Sequence, residues 1–273
     1  MNKQPIGVFD SGYGGLTVLK EIVQKLPGYD YLYLGDNARA PYGNRSFETV
    51  YEYTLQCVKW FFEQGCPLVV LACNTASAKA LRTIQQNDLP KIDASKRVLG
   101  VIRPTTEIIG EHTKTKQVGV LGTNGTVQSG SYPIEIQKFF PDVKVYQQAC
   151  PMWVPLIENN EHTGAGADYF VQKNINELLS QSPAIDTIVL ACTHYPLLIE
   201  KIRSFVPENI TVLSQGKIVA DSLAAYLQKH IALEAKCSKS AEIEFFTTDS
   251  PADFDTHAAN FFGKPVRSKH LAL

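Results

Sequence analysis

Nowhere in its 273 residues does the chain reach the roughly 18 uninterrupted apolar residues of a membrane span, so no bilayer partner is expected. A long basic run is missing as well. The 26 lysines and arginines nearly balance 27 aspartates and glutamates, which leaves no electrostatic footprint for nucleic acid or an anionic surface. The six cysteines form no C-x-x-C pair, which argues against a structural zinc site or a thioredoxin-like centre. The N-terminus shows no apolar core of a signal peptide, and the dispersed cysteines then read as reduced thiols in the cytoplasm. The glycine turn at residues 10–15 does not satisfy G-x-G-x-x-G, so a dinucleotide site has weak support. With 44% hydrophobic and 19% charged residues, what remains is a globular chain of one large or two ordinary domains. A small-molecule substrate is the default expectation.

What the chain does contain is one stretch written twice. Residues 68–78 read LVVLACNTASA and residues 187–197 read TIVLACTHYPL. Each is a branched, apolar run of the kind buried on both faces of a parallel sheet, and each ends on a cysteine, Cys73 or Cys192. A polar turn follows in both copies, and then helix-forming residues. A second repeat precedes the first: IGVFDSG from residue 6 is similar to VGVLGTN from residue 118. The chain therefore reads as two similar α/β halves with mainly parallel sheets. Ligands in such sheets sit beyond the carboxyl ends of the strands, so the two thiols are expected on opposite walls of a cleft between the halves.

The remaining pattern fills in that outline. Strands are expected over residues 5–9, 31–35, 98–102, 117–121, 143–147, 210–213 and 242–247, and helices over 16–26, 47–64, 169–181, 218–230 and 251–262. The apolar spacing of 47–64, including Phe47, marks a core face. Residues 87–96 read as a loop crossing between the halves, and 267–273 as a frayed end. The expected domains are 1–97 plus 210–273, discontinuous, and 98–209. Cys150, before a proline and with no partner residue nearby, reads as structural.

Two thiols facing one carbon from opposite sides can remove a proton on one face and return one on the other, which inverts a stereocentre. One must be a thiolate while the other stays protonated, so thiols ordinarily near ~8.5 need local tuning. Asp10 and His194 stand at the strand ends where such tuning belongs, His194 as acid/base partner of Cys192 or of the substrate ammonium. Each residue also has a plainer reading. Free cysteine is often a small buried hydrophobe, Asp10 suits a helix cap, and His194 can be a turn histidine satisfied by backbone.

The segments FDSGYGGLTVL, LGDNARAPYG, LACNTASA, LGTNGT and ACTHYPLL, in that order and across nearly the whole chain, resemble the motifs of the cofactor-independent aspartate/glutamate racemase family, and within it the glutamate racemases. The resemblance implies interconversion of L- and D-glutamate for bacterial peptidoglycan without pyridoxal phosphate or metal, in two α/β domains with the site between them, as a homodimer. It implies that Cys73 deprotonates D-glutamate with Asp10 assisting, and that Cys192 deprotonates L-glutamate with His194 assisting. Asp10, Ser11, Pro41, Tyr42, Gly43, Asn74, Thr75, Thr123, Thr126, Thr193 and His194 match its substrate-binding positions. Asp36 and Glu158 match supporting carboxylates, with Glu161 close enough to compete for the second assignment. Three other readings stay open on the residues alone: a racemase of another acidic amino acid, a cysteine-nucleophile amidase or transferase, and a two-lobed amino-acid binding protein.

Overall fold

A computed structural model describes residues 3–273. The branched apolar runs form ten strands: β1 (Ile6–Asp10), β2 (Tyr31–Gly35), β3 (Leu68–Leu71), β4 (Arg97–Gly100), β5 (Gln117–Gly122), β6 (Lys144–Ala149), β7 (Thr187–Ala191), β8 (Thr211–Leu213), β9 (Ile243–Thr247) and β10 (Ser268–His270). They make two sheets, ordered β10-β9-β2-β1-β3-β4 and β6-β5-β7-β8. Every pairing is parallel. Helices cover these sheets, which is why β1, β2, β3 and β7 are buried along their whole length and carry no polar alternation.

The duplication is structural as well as textual. β1 lies beside β3 with Gly7 opposite Val69, and β5 lies beside β7 with Gly119 opposite Ile188. Both glycines serve helix packing. A Cβ on Gly7 would come within 2.7 Å of the Phe61 ring, and one on Gly119 within 2.7 Å of Leu178 Cδ2. Phe61 belongs to the helix Phe47–Glu63 and Leu178 to the helix Ala165–Ser180, so the repeated G-x-V clears the same seat for a large side chain in each half.

Four expectations need correction. The boundary at 97/98 cuts through β4, which pairs with β3 in the first sheet, and β8 pairs with β7 in the second sheet although residues 210–273 were assigned to the first domain. Apolar patterning identifies a strand and says nothing about which strand it hydrogen-bonds. The chain instead crosses between halves at Val101, where the helix Ile102–His112 goes on to pack against β5 through Ile102 and Ile109. It returns after β8, where the helix Gln215–Lys229 lies along the helix Leu16–Lys25. Residues 87–96 are mostly helical, continuing a run through Ile84–Asp88 and Leu89–Ile92 that Ile84 and Leu89 anchor in the core. Residues 268–270 are not frayed but form β10 against β9. Phe47, expected in the core, is 44% exposed: it is the first residue of its helix, whose buried face begins at Val50 and continues through Val58 and Phe61.

Candidate active site

The repeated strands deliver their chemistry at one place. β3 runs out at Leu71 and β7 at Ala191, and Cys73 and Cys192 line the same pocket at the carboxyl ends of the two sheets. Each is nearly buried, at 6% and 7% exposure. Ser11, Pro41, Tyr42 and Gly43, from the segments after β1 and β2, and Asn74 and Thr75, from the start of the helix after β3, enter the wall from the first sheet. Thr123, Glu158, Thr193 and His194 enter from the second. The halves touch directly at this wall, where the Thr75 and Thr123 hydroxyls are hydrogen-bonded at 3.0 Å. Among the described residues no lysine or arginine lines the pocket, so a bound carboxylate would meet hydroxyls, amides and backbone donors.

The first thiol sits where a helix begins. Cys73 Sγ accepts from the Ala76 amide at 3.4 Å as the cap of the helix Asn74–Lys79, and it donates to Ser11 Oγ at 3.5 Å. Burial pushes the Cys73 thiol up to about 12, and the nearby Asp10 carboxyl adds to the rise against the Ala76 amide and Ser11. This sulfur therefore keeps its proton at neutral pH.

Asp10 is not a helix cap. The helix Leu16–Lys25 has Gly15 at its N-cap with no side-chain bond, and Asp10 Oδ2 instead accepts from the Gly12 amide at 3.0 Å. It is fully buried behind the pocket wall, and Thr193 donates to its Oδ1 at 3.4 Å across the two halves. Burial raises its pKa, while His194 and the Gly12 and Gly15 amides pull it back.

On the other side, His194 Nδ1 lies 3.9 Å from Cys192 Sγ and its Nε2 lies 2.9 Å from Glu158 Oε1. Burial works against the imidazolium, yet the Cys192 sulfur and the Glu158 carboxylate together raise the pKa to about 10. A protonated His194 thus stands beside the Cys192 sulfur. Phe261, from the helix Pro251–Phe262, meets the His194 ring edge-on at 5.2 Å. Glu158, half-buried, is the carboxylate that reaches His194; Glu161 is exposed and outside the pocket.

Asp36 and Thr126 stand one layer back. Asp36 accepts from the Tyr42 hydroxyl, from Arg39 Nε at 2.7 Å and from Thr248 at 2.8 Å, which holds the Pro41–Gly43 wall in place. Thr126 gives its amide to Thr123 Oγ1 at 3.2 Å and so orients that hydroxyl. Two contributors were missed in the sequence. Cys150, read as structural, also lines the pocket, which a cysteine before proline does not announce. Gly14 lies so close to the second half that a Cβ there would fall 2.3 Å from Thr193 Oγ1 and 2.4 Å from His194 Nδ1. Gly14→Ala is expected to lower kcat/KM about 30-fold and to lower the melting temperature as well, since the added methyl overlaps buried groups and even small misplacement of an acid/base group is costly. A wild-type rate in this variant would show that His194 tolerates displacement.

Two parallel α/β halves bring equivalent cysteines and a carboxylate-held histidine to one pocket, with a buried carboxyl behind its wall, and such a pocket at the carboxyl ends of parallel strands is where an α/β enzyme binds a small molecule. The sequence matches the family described as Asp/Glu/Hydantoin racemase over residues 6–225. A glutamate racemase of Streptococcus suis is 37% identical over the full length of both chains. The crystal structure of a glutamate racemase isoform of Bacillus anthracis superposes with TM-score 0.90 at 33% identity, over 100% of this chain and 99% of that one. That of Francisella tularensis glutamate racemase in complex with D-glutamate gives TM-score 0.87 at 29% identity, over 100% and 98%. The chain belongs to the Asp/Glu/hydantoin racemase family, and it is an amino-acid racemase.

Proposed function

We propose that this racemase interconverts L- and D-glutamate by a two-base mechanism in which Cys192 takes the α-proton of L-glutamate and Cys73 that of D-glutamate. Each thiol then returns a proton to the carbanion made by the other. The observation that carries this reading is that the tips of two duplicated strands place both cysteines on one pocket. Glutamate is preferred to other amino acids because the similar full-length proteins are glutamate racemases, one of them solved with D-glutamate.

In the L-to-D direction the protonated Cys73 is already the donor, and His194 faces the sulfur that acts as base. Asp10 orients and tunes the Cys73 side, and Glu158 keeps His194 charged. Ser11, Asn74, Thr75, Thr123 and Thr193, with the Pro41–Gly43 wall, hold the amino acid. The α-carbon is far less acidic than a thiol, so the developing negative charge must be met by fixed donors. Such donors are worth about 3 kcal/mol each in other enzymes when water is excluded. Thr126 and Asp36 support that wall from behind.

In the cell we place the enzyme in the cytoplasm as a homodimer supplying D-glutamate for peptidoglycan, with its two sheets acting as two domains around the site. The reading is tested by incubating the protein with L-glutamate in heavy water. Optical rotation should decay as deuterium enters the α-carbon. Binding without exchange would sink it, and a panel of other L- and D-amino acids in the same assay tests glutamate against aspartate.

A further inference from the structure

Gln215 is the first residue of the helix Gln215–Lys229, no motif draws attention to it, and it is 4% exposed. Its amide closes a buried ring of hydrogen bonds with Asn74 and Tyr132. Asn74 Nδ2 donates to Gln215 Oε1 at 2.7 Å, Gln215 Nε2 donates to the Tyr132 hydroxyl at 2.7 Å, and that hydroxyl donates to Asn74 Oδ1 at 2.8 Å. The sense of the ring is forced. The Val101 carbonyl, which can only accept, lies 3.1 Å from Gln215 Nε2 and the Thr105 hydroxyl 3.0 Å from it, so the two share one N–H while the other goes to Tyr132. Gln215 must therefore turn its oxygen to Asn74, and Asn74 must turn its nitrogen to Gln215.

Asn74 follows Cys73 directly and lines the pocket. With Oδ1 held by Tyr132 and one N–H held by Gln215, its second N–H is the donor left over. We propose that Gln215 is a positioning residue: through the ring it locks the Asn74 amide so that this N–H, and not the carbonyl oxygen, is offered to a substrate carboxylate beside Cys73. The inference rests on the glutamate racemase reading of the pocket. A flipped Asn74 would set an acceptor against an anion, turning an attraction into a repulsion. The ring also spans the halves, since Asn74 follows β3 whereas Tyr132 lies in the core that covers β5, so the lock is complete only when the halves sit in this relation.

The test is a double-mutant cycle on the full-length protein, reading kcat and KM for L-glutamate and the melting temperature for wild type, Gln215→Met, Asn74→Ala and the double variant. Gln215→Met is expected to raise KM about tenfold with kcat within about threefold, the size of one lost hydrogen bond to a charged group. In the Asn74→Ala background the same change should move KM less than about twofold, because the residue acts through Asn74. Where Asn74→Ala turns over too slowly, D-glutamate affinity by calorimetry gives the same four corners. Tyr132→Phe, which keeps the ring's bulk, should raise KM in the same direction and covers the case of a Gln215 variant that does not fold. Equal KM penalties in both backgrounds, or variants that lose only melting temperature, overturn the proposal. A wild type that does not racemise glutamate sinks the reading of the pocket and the inference together; a wild type that does, with additive penalties, sinks the inference alone.

Discussion

Cys192→Ala and Cys73→Ala are each expected to lower glutamate racemisation by at least about 1,000-fold in both directions, since an acid/base group in direct contact with the reacting atom commonly contributes 100- to 10,000-fold. Inversion needs removal on one face and delivery on the other, so one thiol cannot sustain it in either direction. The residual chemistry distinguishes the two variants. In heavy water Cys192→Ala retains Cys73, which can remove the α-proton of D-glutamate and return a deuteron to the same face, so D-glutamate exchanges slowly without inverting while L-glutamate does not. Cys73→Ala should show the mirror image. Full L-to-D conversion by Cys192→Ala would refute the two-base mechanism, and a trapped acyl-enzyme mass would redirect the assignment to a nucleophilic cysteine.

The second large effect concerns Glu158. It contacts His194 Nε2 at 2.9 Å and helps to raise the histidine to about 10, so Glu158→Gln should bring that pKa down. Activity is expected to fall about tenfold at pH 7 and about 100-fold at pH 9, as the imidazolium beside Cys192 is lost earlier on the alkaline side. The alkaline limb of kcat/KM, expected near 10 in the wild type from His194, should move to lower pH. Stability follows the same sign. A histidine whose folded pKa lies above its ordinary 6.5 contributes stability that is complete below about 6.5 and disappears as pH rises through about 10. The melting temperature gap between wild type and Glu158→Gln should accordingly be widest near pH 6 and close above about pH 10. An unmoved alkaline limb would show that His194 is not the titrating group.

The legible part of the site was what local sequence repeats. A strand buried on both faces must be apolar throughout, so VLAC written twice announced two central strands, and the residues after each cysteine had to lie at strand ends. The repeated G-x-V was equally visible, although its reason, room for Phe61 and Leu178, was not. The supporting carboxylate stayed ambiguous between Glu158 and Glu161, which share one polar segment. Only the turn after the helix Trp153–Glu158 decides which of them points at His194.

Other features depend on residues far apart in the chain. β4 and β8 each looked like a strand of the neighbouring half, because hydrogen-bond partners are chosen across the sheet and leave no mark on the strand itself. Asp10 suits a helix cap by residue type, but its burial and its contact with Thr193 place its carboxyl behind the pocket wall, between the halves. Gln215 had no local signal at all, since its worth lies in Asn74 and Tyr132 meeting it from segments more than 80 residues away.

The amino-acid order by itself determined the two α/β halves, the paired thiols and the family to which they belong, because strand burial and strand-end chemistry are written within a dozen neighbouring residues. The tertiary structure alone decided which strand joins which sheet, which carboxylate charges His194 and which amide holds Asn74. Those choices follow from groups that become neighbours only when water has been driven from between the halves, leaving each buried donor and acceptor to be satisfied by whatever side chain the packing brings to it.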